Sequence, residues 1–369
     1  MRSDGIYKVG NQTMNSKERL KSIDCVKGVA ILLVVLGHAV QLLKGSEAAN
    51  HDRLFNYIYS FHMPLFMFIS GYLSYKQLIS FSDVRKRAYQ LLPPFFFFPL
   101  FVGLAFKGTV CVNTFKHLIE RPDSGLWFFY VLFMISSYYT IVMTIFERSV
   151  YGGGKMTVSK RGITLKLILF GLIMFLVCSA TALFLRNKMN LPYDYGASLM
   201  ARHSIFYMSG MLLKIYIGEI KELCIRYWLG FGVVWLVLAT YWEFDHKPTF
   251  VTAPNMLVEM AYYYITAYVG ILMMISICFR FVKQEGNGFI LKMITSIGQK
   301  TLGIYAIHMS FLLQVAWDWV KQFQMNYWVS LCSVFLISVL GAVVLTSLLE
   351  RGNIAPLLFL GKVRLNKKG

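Results

Sequence analysis

Hydrophobic residues gather in ten runs of membrane-spanning length, at roughly 23–43, 55–75, 90–106, 126–146, 163–185, 199–217, 227–243, 257–280, 299–320 and 327–349. About 20 apolar residues cover ~30 Å of hydrocarbon as a helix. The pattern therefore predicts an all-α, polytopic membrane bundle of about ten transmembrane helices. The first run, IDCVKGVAILLVVLGHAVQLL, departs from apolarity at Asp24, Lys27, His38 and Gln41. At about 100° per residue, eleven steps from Lys27 to His38 return to within ~20° of the starting direction, and all four side chains share a sector of roughly 100°. Lys27 and His38 are then about 16 Å apart along the axis. A helix that is greasy on most sides and polar on one suits lipid outside and a protein-lined cavity inside, which makes its ionisable residues functional candidates. The plainer alternative leaves Asp24 and Lys27 at the interface and His38 as a satisfied packing histidine.

The second run opens YIYSFHMP and holds Ser70 and Gly71 near its far end. His62 and Pro64 sit where a bend is tolerated, and the small Ser-Gly pair allows close helix approach. Arg85, Lys86 and Arg87 abut the third run and serve either as a positive-inside signal with lipid headgroup contact or as a phosphate clamp. Pro93 and Pro94 are expected to start that helix. Trp127 and Tyr130, at the start of the fourth run, are belt residues or stacking surfaces for sugar. Arg202, beside His203, either snorkels or faces a cavity, and Asp245 and His246 in a later loop are available for acceptor contact. In the ninth run Thr301, Tyr305 and His308 share one helical face, suited to lining a cavity or to bonding between helices.

Composition agrees with the pattern: 369 residues, 57% hydrophobic and 15% charged, with mean hydropathy +0.55, where soluble domains average about 25% charged residues. A net charge of +19 would suggest nucleic acid in a soluble protein, but 27 of the 37 basic residues fall in alternate connections between spans. That bias places both termini in the cytoplasm and excludes nucleic acid as a partner. The chain then divides into a polar arm at 1–20, a membrane domain at 21–350 and a basic tail at 351–369, with no cleavable signal before the first span. Tyr151 to Gly154, YGGG, is a connector and lacks the phosphate-loop spacing. Six singly scattered cysteines indicate neither a disulfide framework nor a zinc site.

The run SIDCVKGVAILLVVLGHAV resembles the opening of the acyltransferase 3 family, in which an aspartate, a basic residue, ten further residues and a histidine recur; here these are Asp24, Lys27 and His38. FHMPLFMFISGYL is similar to the family's second span, RKRAYQLLPPF to its third-helix entry, LWFFYVLF to its fourth span and SIGQKTLGIYAIH to its late tyrosine-histidine helix. The FHMP-type span is most similar to the fucose and N-acetylglucosamine O-acetylase branch. The resemblance implies ten spans in a bacterial plasma membrane and transfer of an acyl group, usually acetyl, from acyl-CoA to sugar hydroxyls of surface glycans. It implies catalytic roles for His38, Lys27 and Asp24, donor binding at Arg85 and Arg87, and a cavity or acceptor lining that includes His62, Arg202, Trp127, Tyr305 and His308. No permanently bound cofactor is expected; acetyl-CoA or another acyl-CoA is a co-substrate, and membrane lipids and a carbohydrate acceptor are partners. Departures are Gln90, where members often carry a basic residue, Lys27 in place of the commoner arginine, and the absence of the hydrolase-like domain some members append. His38 can act as general base or as an acylated nucleophile. The competing class is a transporter or flippase of a glycan or small solute, its buried charges lining a pathway; an acyl-CoA sensor without turnover is a third.

Overall fold

The computed structural model describes residues 16–75, 80–104, 111–122, 124–151, 160–244, 248–251, 255–286, 288–352 and 354–362. Among them there is no strand. In chain order the helices are α1 (Ser16–Lys44), α2 (Ser46–Asn50), α3 (Arg53–Tyr59), α4 (His62–Ser74), α5 (Phe81–Val102), α6 (Cys111–Glu120), α7 (Trp127–Tyr151) and α8 (Lys160–Asn187). They continue as α9 (Ala197–Arg226), α10 (Trp228–Thr240), α11 (Met256–Glu285), α12 (Phe289–Gln299), α13 (Thr301–Ile307), α14 (Leu313–Val320), α15 (Tyr327–Leu349) and α16 (Ala355–Leu360).

Each apolar run falls on helix, but only some of those helices are unbroken. Among the described residues five are long and apolar enough to cross a membrane, at Lys21–Lys44, Trp127–Phe146, Lys160–Asn187, Met256–Glu285 and Tyr327–Leu349. The sixth and seventh runs become α9 and α10, which meet at a 78° bend and add one further span if the pair crosses together. The second run breaks at Ser60 and Phe61, between α3 and α4. Pro64 lies in the first turn of α4, where its missing N–H would have had no helical partner. The ninth run is interrupted by a π-helical turn at His308–Leu312 between α13 and α14.

One expectation needs correcting. Pro93 and Pro94 do not start the third helix; α5 begins at Phe81 and holds Pro93, Pro94 and Pro99 inside it. Ser80 supplies a better start, since its hydroxyl accepts from the Ser82 N–H at 3.4 Å while its own N–H donates to Asp83 at 3.3 Å, which reciprocates as a capping box does. Pro94 then frees the Gln90 carbonyl, and Gly361 closes against that carbonyl. Within the tail, α16 packs on α5, α13 and α15, and its Phe359 ring lies 5.1 Å from that of Phe98.

The helices sort by what covers them. Half or more of the apolar windows of α1, α7 and α11 is buried, whereas only 28% of the α8 window is. Leu165, Leu169, Leu172, Leu176 and Leu183 of α8 are all exposed, a surface suited to lipid chains. Inside, two crossings bring backbone against backbone at glycine. Gly71 of α4 faces the Tyr207 backbone of α9, and Gly210 of α9 faces the Phe68 backbone of α4. Gly28 of α1 and Gly298 of α12 meet in the same reciprocal way, against Ile294 and Asp24. Small residues are what close helix approach in a membrane requires.

Candidate active site

The polar sector of α1 faces protein at both ends. Lys27 Nζ pairs with Asp24 Oδ1 at 2.7 Å, the two side chains about one-fifth exposed, and Gln299 Nε2 of α12 donates to Asp24 Oδ2 at 3.1 Å. Toward the other end His38 is half-buried. Its Nδ1 lies 3.2 Å from the Tyr59 hydroxyl of α3 and 3.3 Å from Gln41 Oε1 one turn along α1. A protonated Nδ1 donates to Gln41 and leaves the lone pair on Nε2; a bare Nδ1 accepts from Tyr59. Both tautomers therefore have a partner.

Other imidazoles and phenols surround this one. The His308 ring centroid is 5.7 Å from that of His38, tilted by 40°, and 5.8 Å from the Tyr305 ring. Tyr59 stands edge-on to His62 at 4.4 Å. His62 Nδ1 is 2.9 Å from the Ile58 carbonyl and His308 Nδ1 2.8 Å from the Ile304 carbonyl. A carbonyl only accepts, so each Nδ1 carries a proton and each neutral ring keeps its lone pair on Nε2. Beside them a small gap of about 10 Å³, room for about one water, is lined by Met63, Phe66, Phe128, Thr301, Leu302 and Tyr305. Tyr305 thus borders both the gap and the histidine group.

The helix-period pattern on α1 makes this convergence possible, and the breaks elsewhere complete it. The turn at Ser60 and Phe61 lets α3 deliver Tyr59 and α4 deliver His62 from different directions. The π turn starts at His308 itself, a feature that recurs at functional sites. Among the described residues no three His, Cys, Asp or Glu side chains converge as metal ligands.

A scan of family models matches residues 20–347 to an acyltransferase domain, that of acyltransferase 3. The chain belongs to the acyltransferase 3 family. It is also similar to nodulation protein NolL of Mesorhizobium japonicum, 36% identical over 149 residues, 38% of this chain and 40% of that protein. With nodulation protein NolL of Sinorhizobium fredii it shares 43% identity over 93 residues, 24% of this chain and 25% of that protein. The chain thus spans well under half the length of the curated relatives it matches. No solved structure matches.

Elsewhere in this acyltransferase 3 chain the candidate residues form two further groups. Arg87 donates to the Ser74 hydroxyl and, at 3.5 Å, to Gln90 Oε1; Arg85 is exposed on the same helix. Gln90, the departure from the family pattern, thus serves as an acceptor for Arg87. Lys214 of α9 donates to the Tyr75 carbonyl at 2.7 Å, which brings a second cation to the end of α4. In the other group Trp127 stacks on His203 at 5.2 Å, and the Arg202 guanidinium lies 5.6 Å from the Tyr263 ring. Trp127 is therefore turned inward onto a buried imidazole, away from an interfacial belt. Asp245 and His246 lie outside the described residues, as does most of the YGGG connector.

Tyr59 and Lys214 were not singled out from sequence. Tyr59 lies in the YIYSFHMP run, but only the fold reveals that its hydroxyl reaches α1. The signal that could have found it is its place three residues before His62, on the far side of a helix break.

Proposed function

We propose that the protein is an integral membrane O-acyltransferase that moves an acyl group, acetyl in the first place, from cytosolic acyl-CoA to a hydroxyl of a cell-surface glycan or its lipid-linked precursor. Its setting is a bacterial plasma membrane, with ten spans and both termini cytoplasmic. One observation carries the reading: in a chain of this family, the histidine of the first-span motif is held inside the bundle with two hydrogen-bonding partners on Nδ1. That leaves Nε2 to act as the base.

In this mechanism Nε2 of His38 takes the proton of the acceptor hydroxyl as its oxygen attacks the thioester carbonyl. The new C–O bond forms, the C–S bond breaks, and the departing thiolate takes the proton from His38 to leave free CoA. Gln41 Oε1 holds the Nδ1 proton of His38 throughout, as an orienting group does in triad chemistry. CoA phosphates suit the cationic end, where Arg87 is already fixed by Ser74 and Gln90 and Arg85 is open to solvent. The mostly apolar walls of the small gap beside Tyr305 suit contact with the acyl end of the thioester. Trp127, His203 and Arg202 suit a sugar, which is recognised by stacking and by a few polar contacts.

The test is transfer of labelled acetyl from acetyl-CoA to a surface-glycan fraction by membranes holding the wild type or His38→Ala. The reading expects incorporation in the first and none in the second, at equal protein level. Equal incorporation in both would remove His38 from the chemistry, and none in the wild type would refute the enzyme itself.

A further inference from the structure

His308 is the buried group whose arrangement the mechanism above does not use. It is 0% exposed, and its Nδ1–H is spent on the Ile304 carbonyl. Its Nε2 has no hydrogen-bond partner among the described residues. The fold does not need that imidazole to satisfy the helix, because the Ile304 carbonyl already accepts the His308 backbone N–H. A bare acceptor in an apolar interior is destabilising, and a leucine there would avoid the penalty.

The His38 ring lies 5.7 Å from that of His308 between centroids, tilted by 40°. Among the described residues no carboxylate contacts His38; Asp24, on the same helix, is 14 residues away, about 21 Å along the axis. The base of this site therefore lacks the anionic third member that steadies an imidazolium in the serine-hydrolase arrangement. A neutral imidazole with a free lone pair is the alternative the interior offers.

We propose that His308 is the positioning partner of His38, the lone pair of its neutral ring steadying the charge that His38 gains when its Nε2 takes the hydroxyl proton. The proposal rests on the reading of His38 as the base. His38 then carries two N–H groups; Gln41 Oε1 accepts the one on Nδ1, and the one on Nε2 stays directed at the reacting atoms until the C–S bond breaks and the thiolate takes that proton. No net proton is gained or lost by the pair.

The experiment compares full-length wild type, His38→Ala, His308→Leu and His308→Gln in detergent, with acetyl-CoA and a surface-glycan fraction, reading kcat, the KM for acetyl-CoA and the unfolding temperature. His308→Leu is expected to lower kcat about 100-fold with KM within about twofold, and to unfold at the same or a higher temperature. His308→Gln is expected to recover at least about tenfold of that loss, because its amide oxygen offers a lone pair where Nε2 did. The proposal is overturned if the leucine variant keeps kcat within about threefold, if glutamine is no better than leucine, if the loss appears in KM, or if the leucine variant fails to fold. An inert wild type overturns the base reading and this proposal together. An active wild type, a dead His38→Ala and an unimpaired His308→Leu overturn this proposal alone.

Discussion

Two parts of the interior are built on opposite principles. Where α4 crosses α9, Gly71 and Gly210 each admit the backbone of the other helix, with no room for a methyl group. Around His38, rings stand 4.4 to 6.2 Å apart, an empty space adjoins them, and a buried nitrogen is bare. Lipid tails are as apolar as leucine, so helices in a bilayer associate through close packing and not through escape from water. The glycine crossings supply that packing. In the polar group the fixed points of the buried imidazoles are hydrogen bonds to backbone carbonyls. One region holds the bundle together, and the other holds its polar side chains in place.

Substitutions can break or sharpen this contrast. The largest effect is expected at His38→Ala: activity falls 10²- to 10⁴-fold, the range of a general base, while the unfolding temperature stays near the wild type. At the crossing the result reverses. Gly210→Ala places a Cβ against the Phe68 carbonyl, and overpacking of this kind costs about 1–3 kcal/mol; a lowered unfolding temperature with near-normal turnover of the surviving protein would show it. Tyr59→Phe removes one hydrogen bond to His38 Nδ1, worth about 0.5–1.5 kcal/mol. It should slow turnover by up to about tenfold, and steady-state kinetics would detect that. The smallest change belongs to Asp24→Asn, whose partly exposed ion pair with Lys27 contributes about 0–1 kcal/mol to stability. A thermal shift beyond a few degrees would mean that Asp24, through its bond from Gln299, holds α1 to α12.

What the sequence allowed, and what it did not, follows from the range over which each force acts. Helical period alone put Lys27 and His38 on one stripe of α1, because the repeat of 3.6 residues needs no tertiary information. Small residues at Ser70 and Gly71 signalled a close approach, but its partner, Gly210, lies 139 positions on and is visible only in the fold. The proline rule for helix starts misled at Pro93. The sequence around Ser80 and Asp83 has the three-residue spacing of a capping box, and that local signal outranks a proline pair twelve residues into the helix. The π turn left no mark in composition, since one altered hydrogen-bond register changes no residue type. Tyr59 was hidden for a related reason: the direction of α3 depends on a break at Ser60 and Phe61 that hydropathy smooths over. The apolar runs at 55–75 and 299–320 likewise look continuous on a hydropathy window while their backbones are interrupted.

The central claim is that the polar interior exists for acyl transfer and the glycine crossings for cohesion. Its most direct test measures CoA thiol release and unfolding temperature on the same preparations of wild type, His38→Ala and Gly210→Ala. The account predicts no glycan-dependent thiol release but a preserved unfolding temperature for His38→Ala, and the opposite pair of results for Gly210→Ala. Thiol release by His38→Ala at the wild-type rate would contradict it.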